Sequence, residues 1–145
     1  ARRCDWSDED LEALIAAPTK VALEMLRSKS LDGVAAYQLS KRMLNYWVKS
    51  RLRAFVAEGI RANIVSPGPV QTKILKDFEE SMGRSRIEAA SKLVGRHGQP
   101  GEIAEVITFL LSEHACWISG EDLRVDGGFS SLREANDHGP GLDLG

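Results

Sequence analysis

Tyr37 and Lys41 stand four residues apart in AAYQLSKRMLNYWVKSRL (35–52), and in a helix that spacing sets an ammonium beside a phenol. A neighbouring positive charge favours the phenolate, so such a phenol can give a proton to a forming alkoxide or take one from an alcohol near neutral pH. At about 100° per residue, Lys41, Leu44, Val48, Leu52 and Phe55 fall on one stripe with Tyr37, each within about 60° of it. That stripe reads as the buried face, with Arg42, Asn45, Lys49 and Arg53 on the solvated side. An unpaired ammonium is expensive to bury, so Lys41 on the stripe calls for a bound ligand or polar neighbours. The bland alternative is a lysine that snorkels to water beside a tyrosine placed there by chance.

The elements that would position this pair follow from punctuation and periodicity. Residues 7–29 read as a helical pair, with Ser7 capping the first helix, Pro18 interrupting and Thr19 capping the second. Asp32-Gly33 breaks the chain before a long helix at 34–57, which Gly59 ends. IRANIVS (60–66) reads as a buried strand and PGPVQT (67–72) as a loop, although a plain Pro-Gly turn explains that loop equally well. Residues 73–93 read as charged helix, GRHGQPG (95–101) as a second loop, and EIAEVITFLLS (102–112) as a helix. EDLRVD (121–126) reads as a strand, before a polar, Gly/Pro-rich tail. Helices alternating with strands indicate an α/β fold with a parallel sheet. Two strands do not make a stable parallel sheet alone, so more of the sheet is expected from residues beyond these or from another chain.

Composition narrows the classes. With 43% hydrophobic and 28% charged residues, the 145-residue chain has the make-up of an ordinary globular domain. A net charge of −2 gives no reason to expect nucleic acid, and the longest apolar runs are too short for a membrane span. Cys4 and Cys116 suggest a reducing, cytoplasmic setting rather than a disulfide framework. His97 and His114 lack acidic partners at ligand spacing, so no metal site is expected.

Read together, YQLSK (37–41), GIRANIVSPGPVQT (59–72), GRHGQPGEIAEVITFLLS (95–112) and WISGEDLRVDGG (117–128) resemble the C-terminal half of a short-chain dehydrogenase/reductase. The resemblance implies a Rossmann-type doubly wound parallel sheet, of which this chain carries the C-terminal portion. It implies that Tyr37 is the catalytic acid/base and that Lys41 bonds the nicotinamide ribose and strengthens the phenol as an acid. Pro67, Gly68, Val70 and Thr72 match the loop beside the nicotinamide, where the Val70 backbone and the Thr72 hydroxyl would hold the carboxamide. The cofactor would be NAD or NADP. The substrate would be a small alcohol or ketone, interconverted at a secondary carbon, and the protein a homodimer or homotetramer with no nucleic-acid or membrane partner. Residues 73–93 match a substrate lid, with Ile74, Leu75 and Phe78 as apolar contacts.

The family's glycine-rich phosphate loop, catalytic serine and catalytic asparagine match nothing in this chain; GRHGQPG does not follow a strand in a βαβ unit, and Ser28 and Ser30 are too close to Tyr37. Bacterial 3α-hydroxysteroid dehydrogenase/carbonyl reductases carry a helical insertion between serine and tyrosine. Residues 1–33 resemble that segment, leaving 34–130 as the C-terminal half of the oxidoreductase domain and 131–145 as a flexible tail. The rival expectation is a non-catalytic fragment of this family, acting as a dimerisation or cofactor-sensing module.

Overall fold

The computed structural model describes residues 6–73 and 92–137, and the chain divides into two compact units, Ala1–Ala62 and Asn63–Gly145.

The first unit is helical. The Ser7 hydroxyl accepts from the Asp10 N–H at 3.1 Å and the Asp10 carboxylate accepts from the Ser7 N–H at 2.9 Å. This reciprocal cap opens α1 (Asp8–Ala16), and the Ser7 backbone and side-chain bonds hold the Asp10 carboxyl below its ordinary value. The second helix, α2 (Thr19–Ser28), starts at Thr19 with Pro18 in the cap position and no side-chain cap, so Thr19 is not the cap the sequence suggests. Ser30 takes a left-handed backbone (φ 47°) just past the end of α2, the position at which helices commonly unwind.

Asp32 then opens α3 (Gly33–Ser50), its carboxylate accepting from the Ala35 N–H at 2.7 Å. The expected long helix is not continuous. It passes through Arg51 and resumes as α4 (Leu52–Ala57).

Trp6, Leu11, Leu14 and Leu39 form the core of this unit, flanked by Met25, Leu26, Met43 and Tyr46. Leu39, Met43 and Tyr46 recur at helical spacing, so α3 packs on α1 through the face opposite Tyr37, over a core that α2 also flanks. The expected burial of the Tyr37–Lys41 stripe is therefore corrected: Tyr37, Lys41 and Leu44 are exposed, and Val48, Leu52 and Phe55 only half-buried. On the side expected to be solvated, Arg42 donates to the Trp6 carbonyl at 2.7 Å. Helix α3 carries apolar residues on both faces, and only one of them is covered within the unit.

The second unit holds a two-stranded parallel sheet, β1 (Ile64–Pro67) beside β2 (Asp122–Val125), with Ile64 opposite Asp122 and Pro67 opposite Val125. The parallel pairing is the one expected of an α/β chain. The strand starts later than IRANIVS suggests, because Asn63 uses its side chain where the ladder would use backbone. Its amide donates to the Ile118 carbonyl at 2.9 Å and accepts from the Glu121 N–H at 3.1 Å, and pairing begins only at Ile64. Between the strands runs α5 (Pro100–Leu111), with Pro100 in the first turn, where its missing N–H costs nothing. Leu110 and Ala115 are buried in this unit. A last helix, α6 (Phe129–Asp137), occupies the first part of the segment expected to be flexible. The lid residues Ile74, Leu75 and Phe78, and the end of the tail, lie outside the described residues.

Candidate active site

The first unit carries the Tyr37–Lys41 pair. One turn of α3 separates Tyr37 from Lys41, and the Lys41 Nζ lies 5.4 Å from the centroid of the Tyr37 ring. A cation at that range is attracted to the ring face and sits beside the phenol. Tyr37 is 39% exposed. The pair thus projects from the face of α3 that its own unit leaves open, and a ligand can reach both groups. The helix that carries it is fixed from behind by Leu39 in the core and from its N-terminus by the Asp32 cap.

The second unit carries the loop after β1. Pro67 ends the strand, and the Gly68 N–H continues the ladder by donating to the Val125 carbonyl at 3.1 Å. A Cβ at Gly68 would stand 2.8 Å from the Asp126 Cβ and 2.9 Å from its Cα. Glycine is required here because two backbones cross. Val70 pairs with Gly98 across an isolated parallel bridge, in which the Gly98 N–H donates to the Pro69 carbonyl and the Gln71 N–H to the Gly98 carbonyl, both at 2.9 Å. Thr72 is exposed just beyond. The loop lies at the carboxyl end of its strand, where open α/β sheets bind ligands.

Tyr37 and Lys41 thus stand on one unit, and Pro67, Gly68, Val70 and Thr72 on the other. Each unit carries exposed polar groups of its own, the Lys41 ammonium and Tyr37 phenol on the first and the Thr72 hydroxyl on the second.

Spacing alone does not point to the residues that brace the loop. Arg96 makes a bidentate ion pair with Glu102, with bonds of 2.5 and 2.7 Å, and the Gln99 N–H donates to the same carboxylate at 2.7 Å. The Arg96 side chain first and the Gln99 N–H second pull the Glu102 carboxyl down to about 2. The signal was present in the sequence: Gln99-Pro-Gly-Glu102 has the spacing of a capping box with proline at the first helical position.

At the end of β2, burial pushes the Asp126 carboxyl up, but bonds from the Ser130 side chain, the Ser130 N–H and the Gly128 N–H outweigh it and leave the group below its ordinary value. Arg96, Glu102, Val94, Ile103, Val125 and Asp126 are among the residues lining a cleft of about 240 Å³ within this unit. Elsewhere in the unit the His97 Nε2 is buried without a hydrogen-bond partner among the described residues.

Comparison with known proteins covers most of the chain. The family model described as enoyl-(acyl carrier protein) reductase matches residues 16–130. A tropinone reductase homolog of Arabidopsis thaliana is 35% identical over 101 residues, or 70% of this chain and 39% of that protein. The coniferyl-alcohol dehydrogenase of Pseudomonas sp. is 35% identical over 96 residues, or 66% of this chain and 38% of that protein. Among solved structures, the 3-alpha-hydroxysteroid dehydrogenase of Pseudomonas sp. B-0831, complexed with NADH, superposes with a TM-score of 0.74 at 32% identity, covering 86% of this chain and 49% of that one. The chain therefore spans about two fifths of the length of the curated relatives it matches.

Proposed function

The chain belongs to the short-chain dehydrogenase/reductase family, and from that membership we propose that it is part of an NAD(P)-dependent oxidoreductase interconverting a secondary alcohol and a ketone. Tyr37 gives a proton to the forming alkoxide in reduction and takes it from the alcohol in oxidation. Lys41 binds the ribose hydroxyls and supplies the positive charge beside the phenol ring. Pro67 and Gly68 shape the loop, the Val70 backbone and Thr72 hydroxyl hold the carboxamide, and the bound nicotinamide supplies the hydride. The proposal extends to a cytoplasmic protein that works as a homodimer or homotetramer; among the described residues, no helix is long and apolar enough to cross a membrane.

The observation that carries this reading is the Tyr37–Lys41 pair, side by side on the face of α3 that its unit leaves open. For the substrate we propose a bulky cyclic alcohol of the hydroxysteroid kind. A match over 86% of the chain must reach into residues 1–33, since 34–145 falls short of that share, so the solved hydroxysteroid dehydrogenase has a counterpart to at least part of the helical segment.

The test is Tyr37→Phe in the protein as it occurs natively, assayed on cyclic secondary alcohols with NAD⁺ and NADP⁺. Turnover should fall at least about 100-fold, the worth of a positioned general acid/base, with dinucleotide affinity almost unchanged. Undiminished turnover overturns the mechanism. The rival reading, a non-catalytic association module, draws on Trp117, which is 98% exposed, and Leu111, at 78%. Self-association without any turnover of either dinucleotide would favour it.

A further inference from the structure

The second loop, 95–101, has no role in the reading above, yet it is densely bonded. Gly98 uses both its backbone groups on the nicotinamide loop, donating to the Pro69 carbonyl and accepting from the Gln71 N–H. The two residues it bonds flank Val70, the position whose backbone is read as the carboxamide contact. A side-chain tie runs parallel to the bridge, the Gln99 amide donating to the Gln71 side-chain oxygen at 2.8 Å.

The far side of the loop is anchored in turn. The Glu102 carboxylate, on the first turn of α5, accepts from the Gln99 N–H and from both terminal nitrogens of Arg96, while Arg96 also donates to the His97 carbonyl at 3.1 Å. One carboxylate thus gathers residues 96 to 99 around the helix N-terminus, a place that favours negative charge. The hydrogen bonds from Arg96 and the Gln99 N–H hold the Glu102 carboxyl at about 2, well below its ordinary value.

We propose that residues 96–102 are a clamp that sets the position of Val70 for the carboxamide, with Gln99 and Glu102 as its positioning residues. The chain of connection runs from Glu102 through the Gln99 backbone to Gly98, and from Gly98 to both neighbours of Val70. A loop held only at Pro67 and Gly68 would leave Val70 free to shift, and a misplaced backbone group loses a bond that a preorganised one keeps. The inference rests on the dehydrogenase reading for what the loop binds, but not for how the loop is held.

Gln99→Ala and Glu102→Ala test it in the natively occurring protein. Affinity is titrated for NADH and NADPH, and for ADP-ribose and 2′-phospho-ADP-ribose, which lack the nicotinamide. Amide exchange is followed at Gln71 and Gly98. Each variant should weaken the intact dinucleotides about fivefold, one hydrogen bond's worth, leave the nicotinamide-free ligands unchanged, and speed exchange at both amides. Equal weakening of both kinds of ligand, or unchanged exchange at Gln71 and Gly98 in both variants, would overturn the clamp. If the unsubstituted protein binds neither dinucleotide, the dehydrogenase reading fails, and the exchange rates alone then decide whether 96–102 holds the loop.

Discussion

The two units hold their chemistry in place by different means. In 6–62 the pair on α3 is positioned by side-chain packing: Leu39 lies on the face opposite Tyr37, and Trp6, Leu11 and Leu14 close over it. In the second unit the loop is positioned by backbone. Gly68 bonds to Val125, Gly98 bonds to both sides of Val70, and Gly68 abuts Asp126 with no room for a methyl. The lesson concerns what each kind of support tolerates. A packed helix is loosened by removing atoms from its core, whereas a stitched loop is disturbed by adding one.

Leu11→Ala is the strongest test of the first half of that contrast. Leu11 is 2% exposed and the largest fully buried side chain among the described residues, so truncation should cost about 2–5 kcal/mol through lost transfer energy and a residual cavity. Denaturant unfolding reads it directly, and a midpoint equal to that of the unsubstituted protein would show that the core is not what holds α3. Gly68→Ala tests the second half. Its Cβ would press on the Asp126 Cα and Cβ, which cannot swing aside, so about 1–3 kcal/mol should be lost. Gly101→Ala is the control within the same unit, since a Cβ there meets nothing within 4 Å. That change should raise stability by about 0.4–1 kcal/mol through the unfolded chain. Like signs for the two glycines would refute the crossing-backbone account of Gly68.

How much of this was legible follows the same division. The i,i+4 spacing found the Tyr37–Lys41 neighbourhood, the β-branched run between Gly59 and Pro67 found the first strand, and the alternation of helices with strands found the parallel order. Periodicity could not say which face of α3 the unit would bury, because Leu39, Met43 and Tyr46 form a second apolar stripe and only the placement of α1 and α2 chooses between them. It also could not foresee that the Asn63 side chain would replace a ladder bond and delay β1. The clamp was hidden for a related reason: GRHGQPG was weighed as a phosphate loop, whereas its work is done by backbone groups, which no residue type announces.

The smallest expected effect concerns acid. Glu102 is held at about 2 against an ordinary value of 4.5 by the Arg96 side chain and the Gln99 N–H. A carboxyl depressed by folding contributes stability that is fully present above its ordinary value and lost as pH falls through the folded one. The clamp should therefore weaken between about pH 4.5 and about pH 2 and be indifferent to pH above that window. Both Arg96 and Glu102 are largely exposed, so solvent and salt blunt the pair and global unfolding should shift little. Amide exchange at Gln99, corrected for the intrinsic pH dependence of exchange, is the sharper readout, because that N–H donates to the titrating carboxylate. Protection that falls with acid within this window, and that no longer does so in Glu102→Gln, would confirm that the loop is fastened by charge at its base. Protection unchanged down to pH 2 would mean that the backbone bridge at Gly98 suffices alone.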